Sequence, residues 1–429
     1  MRLQRLGGNA AVTRMVQRKP LDEKDDPGRY TSDAGHTFDA EGLIRREVHG
    51  LKYGVKGGFA GSYPTKNHPE GEDSSEKSMT KESPDRMAVV IMPSAKLAEG
   101  TPVQVVLHFH GWGFRGGTDP YAGYLVATGR SSVARKGSVR DVDQEHWEQQ
   151  MGAVGKERAA RTPKEPVVVA VLAQGRGTSD FGDLPTFDYL KDVFSKVPEL
   201  SGVTNYSLIQ TGHSGGGYDV AGNLGRGEAK TADPKATPTP ADMVVMFDAE
   251  AIGKVTEWAI GHVNTLAKLI VDTTPKPADK PKAGDAQQPG DAQKAADALK
   301  AEAEAAEAQR QVVKAAIAAT PKFRAYFAKG QSYDSAYRAA DKALTKAINR
   351  VPAPWGWFPS PDVVVADLFR FIEVAGVTHE FVISKGQNED AAAQKDGALA
   401  DALRAETDPT IDRAKGLGQP PAAPARKKK

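Results

Sequence analysis

Glycines flank Ser214 in the stretch Gly212-His213-Ser214-Gly215-Gly216-Gly217, which directly follows the apolar run Tyr206 to Thr211. A serine hydroxyl is a weak nucleophile until a base takes its proton and its backbone presents it to a substrate. The pattern G-x-S-x-G supplies the second condition. A strand turning sharply into a helix holds the serine in a strained conformation with its oxygen above the sheet edge, and glycine on either side lets the turn close. Gly216 and Gly217 allow the helix to approach the strand. The chemistry such a serine would support is attack on a carbonyl carbon, with a covalent acyl intermediate.

Attack on a carbonyl also needs donors for the developing oxyanion. Val105-Val-Leu-His-Phe-His110-Gly111-Trp112-Gly113 reads as a strand ending in His-Gly-x-Gly, well upstream of the serine. The backbone N–H groups of Trp112 and Gly113, with that of Gly215, are the expected oxyanion donors. His110 and His213 sit beside these segments and are assigned to substrate contact. A competing reading takes His108 and His110 as a metal pair on one strand face, making a metal-dependent hydrolase. The short His-x-His has no adjacent Asp and no nearby third ligand, so neither a metal nor any other cofactor is expected.

The base must be a histidine, and only His262 and His379 follow Ser214. His379 lies just beyond the apolar run ending at Val374, where a loop can lay an imidazole over the serine. His262 follows Trp258 in a helical stretch and is expected to pack or face solvent. Two acids satisfy the order serine, acid, histidine. Asp248 ends the apolar run Met243 to Phe247, while Asp334 stands in front of a helix starting at Ser335 and could serve simply as its cap. Asp248 is the preferred partner.

Positioning these groups requires a sheet. Runs at Met87 to Met92, Val103 to Phe109, Val167 to Leu172, Tyr206 to Thr211, Met243 to Phe247, Phe323 to Ala328 and Leu368 to Val374 read as strands, with a further one around Leu51 to Phe59. Continuous apolar strands alternating with helical segments predict an α/β fold whose mostly parallel sheet is covered on both faces. Residues 1–20 read as a basic leader, 21–86 as a polar extension, 87–390 as the sheet domain and 391–429 as a C-terminal helix and disordered basic tail. Between the sixth and seventh strands, residues 272–319 form an insertion. It starts as a Pro- and Lys-rich linker and continues as a long exposed helix from Asp291 to Ala319, poor in large apolar residues.

Composition narrows the function. The 429 residues are 39% hydrophobic, a globular balance, and 57 basic against 55 acidic side chains leave a formal charge of +2, too small a field to favour nucleic acid. There is no cysteine, so the nucleophile must be oxygen or lysine. No apolar run approaches the roughly 20 residues that span a bilayer, and no membrane insertion is expected.

With these residues in place, the chain resembles the α/β-hydrolase superfamily over about Met87 to Gln387, through HFHGWG, GHSGGG, a later acid and a histidine near the end of the domain. The resemblance implies an eight-stranded sheet with helices on both sides and a hydrolytic serine acting on an ester or amide. A strand ending in FDA after a GHSGG elbow is similar to bacterial branches with the acid at that earlier position, which implies Asp248. Separately, LQRLGGNAAVTRMVQRK near the start resembles the leader of proteins associated with extracellular contractile injection systems. It implies an effector or toxin made in the bacterial cytoplasm without a secretory signal and packaged into a particle for delivery outside or into a target cell. The remaining alternative is a non-enzymatic cargo or adaptor of such a particle, built on a hydrolase scaffold.

Overall fold

The computed structural model describes residues 36–38, 43–48, 50–54, 86, 88–93, 95–111, 147–161, 165–173, 181–182, 184–204, 206–229, 241–273, 291–352, 360–379, 382–383, 385 and 396–407. Their centre is a mixed sheet of β1 (His36–Phe38), β2 (Leu43–Val48), β3 (Ala88–Pro93), β4 (Val103–Phe109), β5 (Val167–Ala173), β6 (Tyr206–His213), β7 (Met243–Phe247), β8 (Lys322–Ala328) and β9 (Phe369–Val374). The order across it is β1-β2-β3-β5-β4-β6-β7-β8-β9. Strands β5, β4, β6 and β7 pair in parallel, with Val103 opposite both Val167 and Tyr206. The β1–β2, β2–β3 and β3–β5 pairs are antiparallel.

Nine strands replace the expected eight. Leu51 to Gly54 forms bends rather than the start of a strand, and 55–59 lies outside the described residues. The strands that precede it were hidden by charge. In Leu43-Ile-Arg-Arg-Glu-Val48 the polar centre masks the apolar ends, yet all six residues pair with β3, and Leu43 and Val48 are buried. Charged side chains are what a strand near a sheet edge carries to discourage further pairing. The segment expected as a polar extension therefore contributes to the sheet.

Adjacent residues of the central strands are all buried, Val105 with Val106, Val169 with Ala170 and Val244 with Val245. Since successive side chains point to opposite faces, both faces of the sheet are covered. On one face Val106, Ala170, Ile209 and Val245 pack with Met151 and Val154 of α1 (Trp147–Ala159), and with the helix near the C-terminus. The remaining helices follow in chain order: α2 (Thr186–Lys196), α3 (Gly217–Ala229), α4 (Ile252–Thr273), α5 (Asp291–Ala319), α6 (Asp334–Ile348), α7 (Pro361–Leu368) and α8 (Ala398–Thr407).

Helix α8 is locked into this core by buried polar groups. Arg158 donates to Gln104 Oε1 and to the Leu403 carbonyl, both at 2.8 Å, and the Ala400 N–H donates to Gln150 Oε1 at 2.9 Å. Buried polar groups are tolerated only when bonded in this way.

The chain divides into two compact units, Met1–Val255 with Arg324–Arg338 and Phe371–Thr407, and Thr256–Phe323 with Ala339–Arg370 and Asp408–Lys429. The first holds the core just described. In the second, α4 buries Ala259, Val263, Leu266 and Ile270, a stripe at helical spacing, while α5 buries Val313 and Ile317 near its end and leaves Leu299 exposed.

Candidate active site

Strand β6 delivers the serine. Beyond His213 the chain enters a single 3₁₀ turn, Ser214–Gly216, that runs into α3. Ser214 has φ +50, in the left-handed region that side chains with a Cβ rarely occupy, so the surrounding structure must hold it there. Two close approaches do so. A Cβ on Gly216 would collide with the Phe109 and His110 carbonyls at the end of β4, and a Cβ on Gly111 would collide with the Ser214 side chain. From the other side, the Glu250 N–H donates to the Ser214 carbonyl at 2.7 Å. The serine is thus clamped between the end of β4 and the turn after β7.

That turn carries the acid. Asp248 is fully buried with φ +43, and its N–H donates to the Tyr326 carbonyl of β8 at 2.7 Å. Tyr337, also buried, accepts from the Ala249 N–H at 2.6 Å, and burial raises its phenol far above the usual range. The phenol therefore stays a neutral brace. Asp248 Oδ2 lies 2.8 Å from His379 Nδ1. A carboxylate only accepts, so Nδ1 carries the proton and Nε2 of neutral His379 keeps its lone pair, the tautomer a general base needs.

His379 follows β9, and its ring is fixed on two sides. It stacks on His213 with centroids 4.8 Å apart and planes at 25°, and Tyr333 lies 5.3 Å away. His213 Nε2 donates to the His379 carbonyl at 3.1 Å. Burial, then the adjacent His379, lowers His213 to about 3, so this donor is neutral. Tyr333 reaches into the site: its hydroxyl donates to Glu250 Oε1 at 2.8 Å, and the Ser214 hydroxyl is close enough to act on its acidity. Burial and then Glu250 push the phenol up to about 12, against the smaller opposing effect of Ser214.

The structure thus brings Asp248 and His379 into contact, and Ser214 directly follows His213, whose ring stacks on that of His379; among the described residues no hydrogen bond joins the Ser214 and His379 side chains. Gly215 is buried directly after the serine. Trp112 and Gly113 lie outside the described residues. His110 is 3% exposed; its Nδ1 donates to the Gly111 carbonyl at 3.0 Å, and burial lowers it to about 4. His213 is 8% exposed and faces His379. His108 pairs Nδ1 with Thr211 Oγ1 at 2.8 Å between β4 and β6. Among the described residues no group of three or more His, Asp and Glu side chains could hold a metal ion. Asp334 opens α6 and pairs with Arg338 at 2.9 Å, and His262 packs against Trp258 at 4.7 Å. Reasoning from sequence overlooked Tyr333, Tyr337 and Glu250. Glu250 stands two positions after the preferred acid, but the tyrosines carry no motif that marks them.

No family model and no curated protein matches the chain. Among solved structures it is similar to fungal esterases from Rhizomucor miehei, at 14% identity over 95% of each chain and a TM-score of 0.34. Carboxyl esterase 2 from Tuber melanosporum is 11% identical over 96% of this chain and 98% of that one, with a TM-score of 0.33. Brefeldin A esterase, described as a bacterial homologue of human hormone sensitive lipase, is 13% identical over 95% and 84%, with a TM-score of 0.32. Superpositions this loose transfer no residue role.

Proposed function

We propose that the chain is a serine hydrolase that cleaves carboxylic esters or amides through an acyl-enzyme on Ser214. One observation carries this reading: His379, paired with Asp248 at 2.8 Å, stacks on the residue immediately before a serine held at φ +50. His379 Nε2 takes the Ser214 proton as Oγ bonds to the carbonyl carbon, and the electron pair moves onto the carbonyl oxygen. The Gly215 N–H, with those of Trp112 and Gly113, receives that oxyanion, and donors of this kind contribute about 10²–10³ in rate. The oxyanion then collapses, the bond to the leaving group breaks, and His379 returns the proton to the departing oxygen or nitrogen. Water repeats the sequence. It gives its proton to His379, attacks the acyl carbon and releases the acid, while Ser214 recovers its proton. Asp248 accepts from Nδ1 and so holds the imidazole tautomer.

The GNAAV leader within residues 1–20 supports a second part of the proposal, that the hydrolase is an effector carried by a contractile injection particle. Covalent capture by a fluorophosphonate tests the enzymatic reading, because only an activated serine reacts at useful speed. An inert cargo on the same scaffold would take up no label.

A further inference from the structure

Two carboxyl groups face this site, and only one has a role in the reaction above. Asp248 is spent on His379. Glu250 is half-buried, its N–H holds the Ser214 carbonyl, and its Oε1 accepts from Tyr333, whose ring lies 5.3 Å from that of His379. The Glu250 carboxylate is therefore held at the site from two directions, by its own N–H on the backbone of the serine and by a tyrosine packed against His379. Among the described residues no lysine, arginine or histidine forms a salt bridge with Glu250.

A carboxylate this close to a developing oxyanion opposes the reaction unless a cation accompanies the substrate, and it repels acyl groups that carry negative charge. The α-nitrogen of an aminoacyl group lies about 2.5 Å from its carbonyl carbon. With that carbon on Ser214 Oγ, the ammonium stays close to the nucleophile, to whose backbone Glu250 is bonded.

We propose that Glu250, held by Tyr333, is a subsite for a substrate ammonium, so that the preferred substrates are esters or amides of amino acids with a free α-amine. The inference rests on the serine hydrolase reading. Glu250 takes no part in bond making. It pairs with the ammonium and fixes the acyl group over Ser214, and Tyr333 sets the carboxylate's position.

The test compares alanine p-nitrophenyl ester with the isobutyryl ester, in which a methyl replaces the ammonium, using the full chain at pH 7. The alanine ester is expected to show a kcat/KM higher by about tenfold or more after correction for spontaneous hydrolysis, the size of one hydrogen-bonded charge pair. Glu250→Gln keeps the shape and removes the charge, and it is expected to lower the ratio of the two kcat/KM values by about the same factor. Equal turnover of the two esters by the native chain, or an unaltered ratio in Glu250→Gln, overturns the ammonium subsite alone. So does fluorophosphonate capture of Ser214 without turnover of the alanine ester. Absence of both labelling and turnover overturns the hydrolase reading, and this subsite with it.

Discussion

Four histidines crowd the site, and their surroundings divide them. His379 keeps a carboxylate partner, whereas His108, His110 and His213 are buried and pushed towards neutrality. An unfolded histidine takes up a proton near 6.5. Folded His110 resists until about 4 and folded His213 until about 3. Below pH 6.5 the unfolded chain thus binds protons that the native chain refuses. The stabilising contribution is complete above 6.5 and declines as pH falls towards those lower values. For His110 the displacement to about 4 corresponds to on the order of 3 kcal/mol. Thermal melts should therefore show a midpoint that drops between pH 7 and pH 4.5, with a shallower drop in His110→Gln. Identical pH dependence in the two proteins would contradict this account of His110. At this scale Ser214, His379 and Asp248 were legible because glycine spacing and chain order constrain them. Tyr333 and Glu250 were not, since a tyrosine in a polar loop and a glutamate after a strand acquire meaning only when folding bonds them to each other and Glu250 to the serine's backbone.

The elbow depends on elements that approach one another more closely than a Cβ permits. Gly216, in the 3₁₀ turn, packs against the Phe109 and His110 carbonyls, while Gly222, on the helix α3 that follows, has open space around it. Gly216→Ala is expected to cost about 3 kcal/mol or more, because rigid backbone cannot yield as a side chain does. Gly222→Ala should be neutral or stabilising by about 0.5–1 kcal/mol, as alanine favours the helix. Denaturant titrations of the two variants measure the contrast, and equal stabilities would contradict the tight approach. The runs for β5 and β7 were the most readable, because a strand buried on both faces is continuously apolar. Strand β2 was not, since Arg45, Arg46 and Glu47 interrupt its pattern, and only its pairing with β3 reveals it.

For the molecule as a whole, every side chain placed in the proposed chemistry belongs to the first compact unit, although Ser214 and His379 are far apart in sequence. The expectation of no role for nucleic acid rests on a formal charge of +2. The proposal of delivery by an injection particle rests on the resemblance of residues 1–20 to a leader. Deleting residues 1–20 should abolish packaging while leaving the activity of the purified chain intact, and unchanged packaging would contradict that role. The central claim, that His379 sharpens Ser214, is tested most directly by the rate of fluorophosphonate capture, read by intact mass and peptide mapping. The account predicts a single adduct on Ser214, none in Ser214→Ala, and labelling slowed by about two orders of magnitude or more in His379→Ala. Labelling as fast without the imidazole as with it, or none in the native chain, would contradict it.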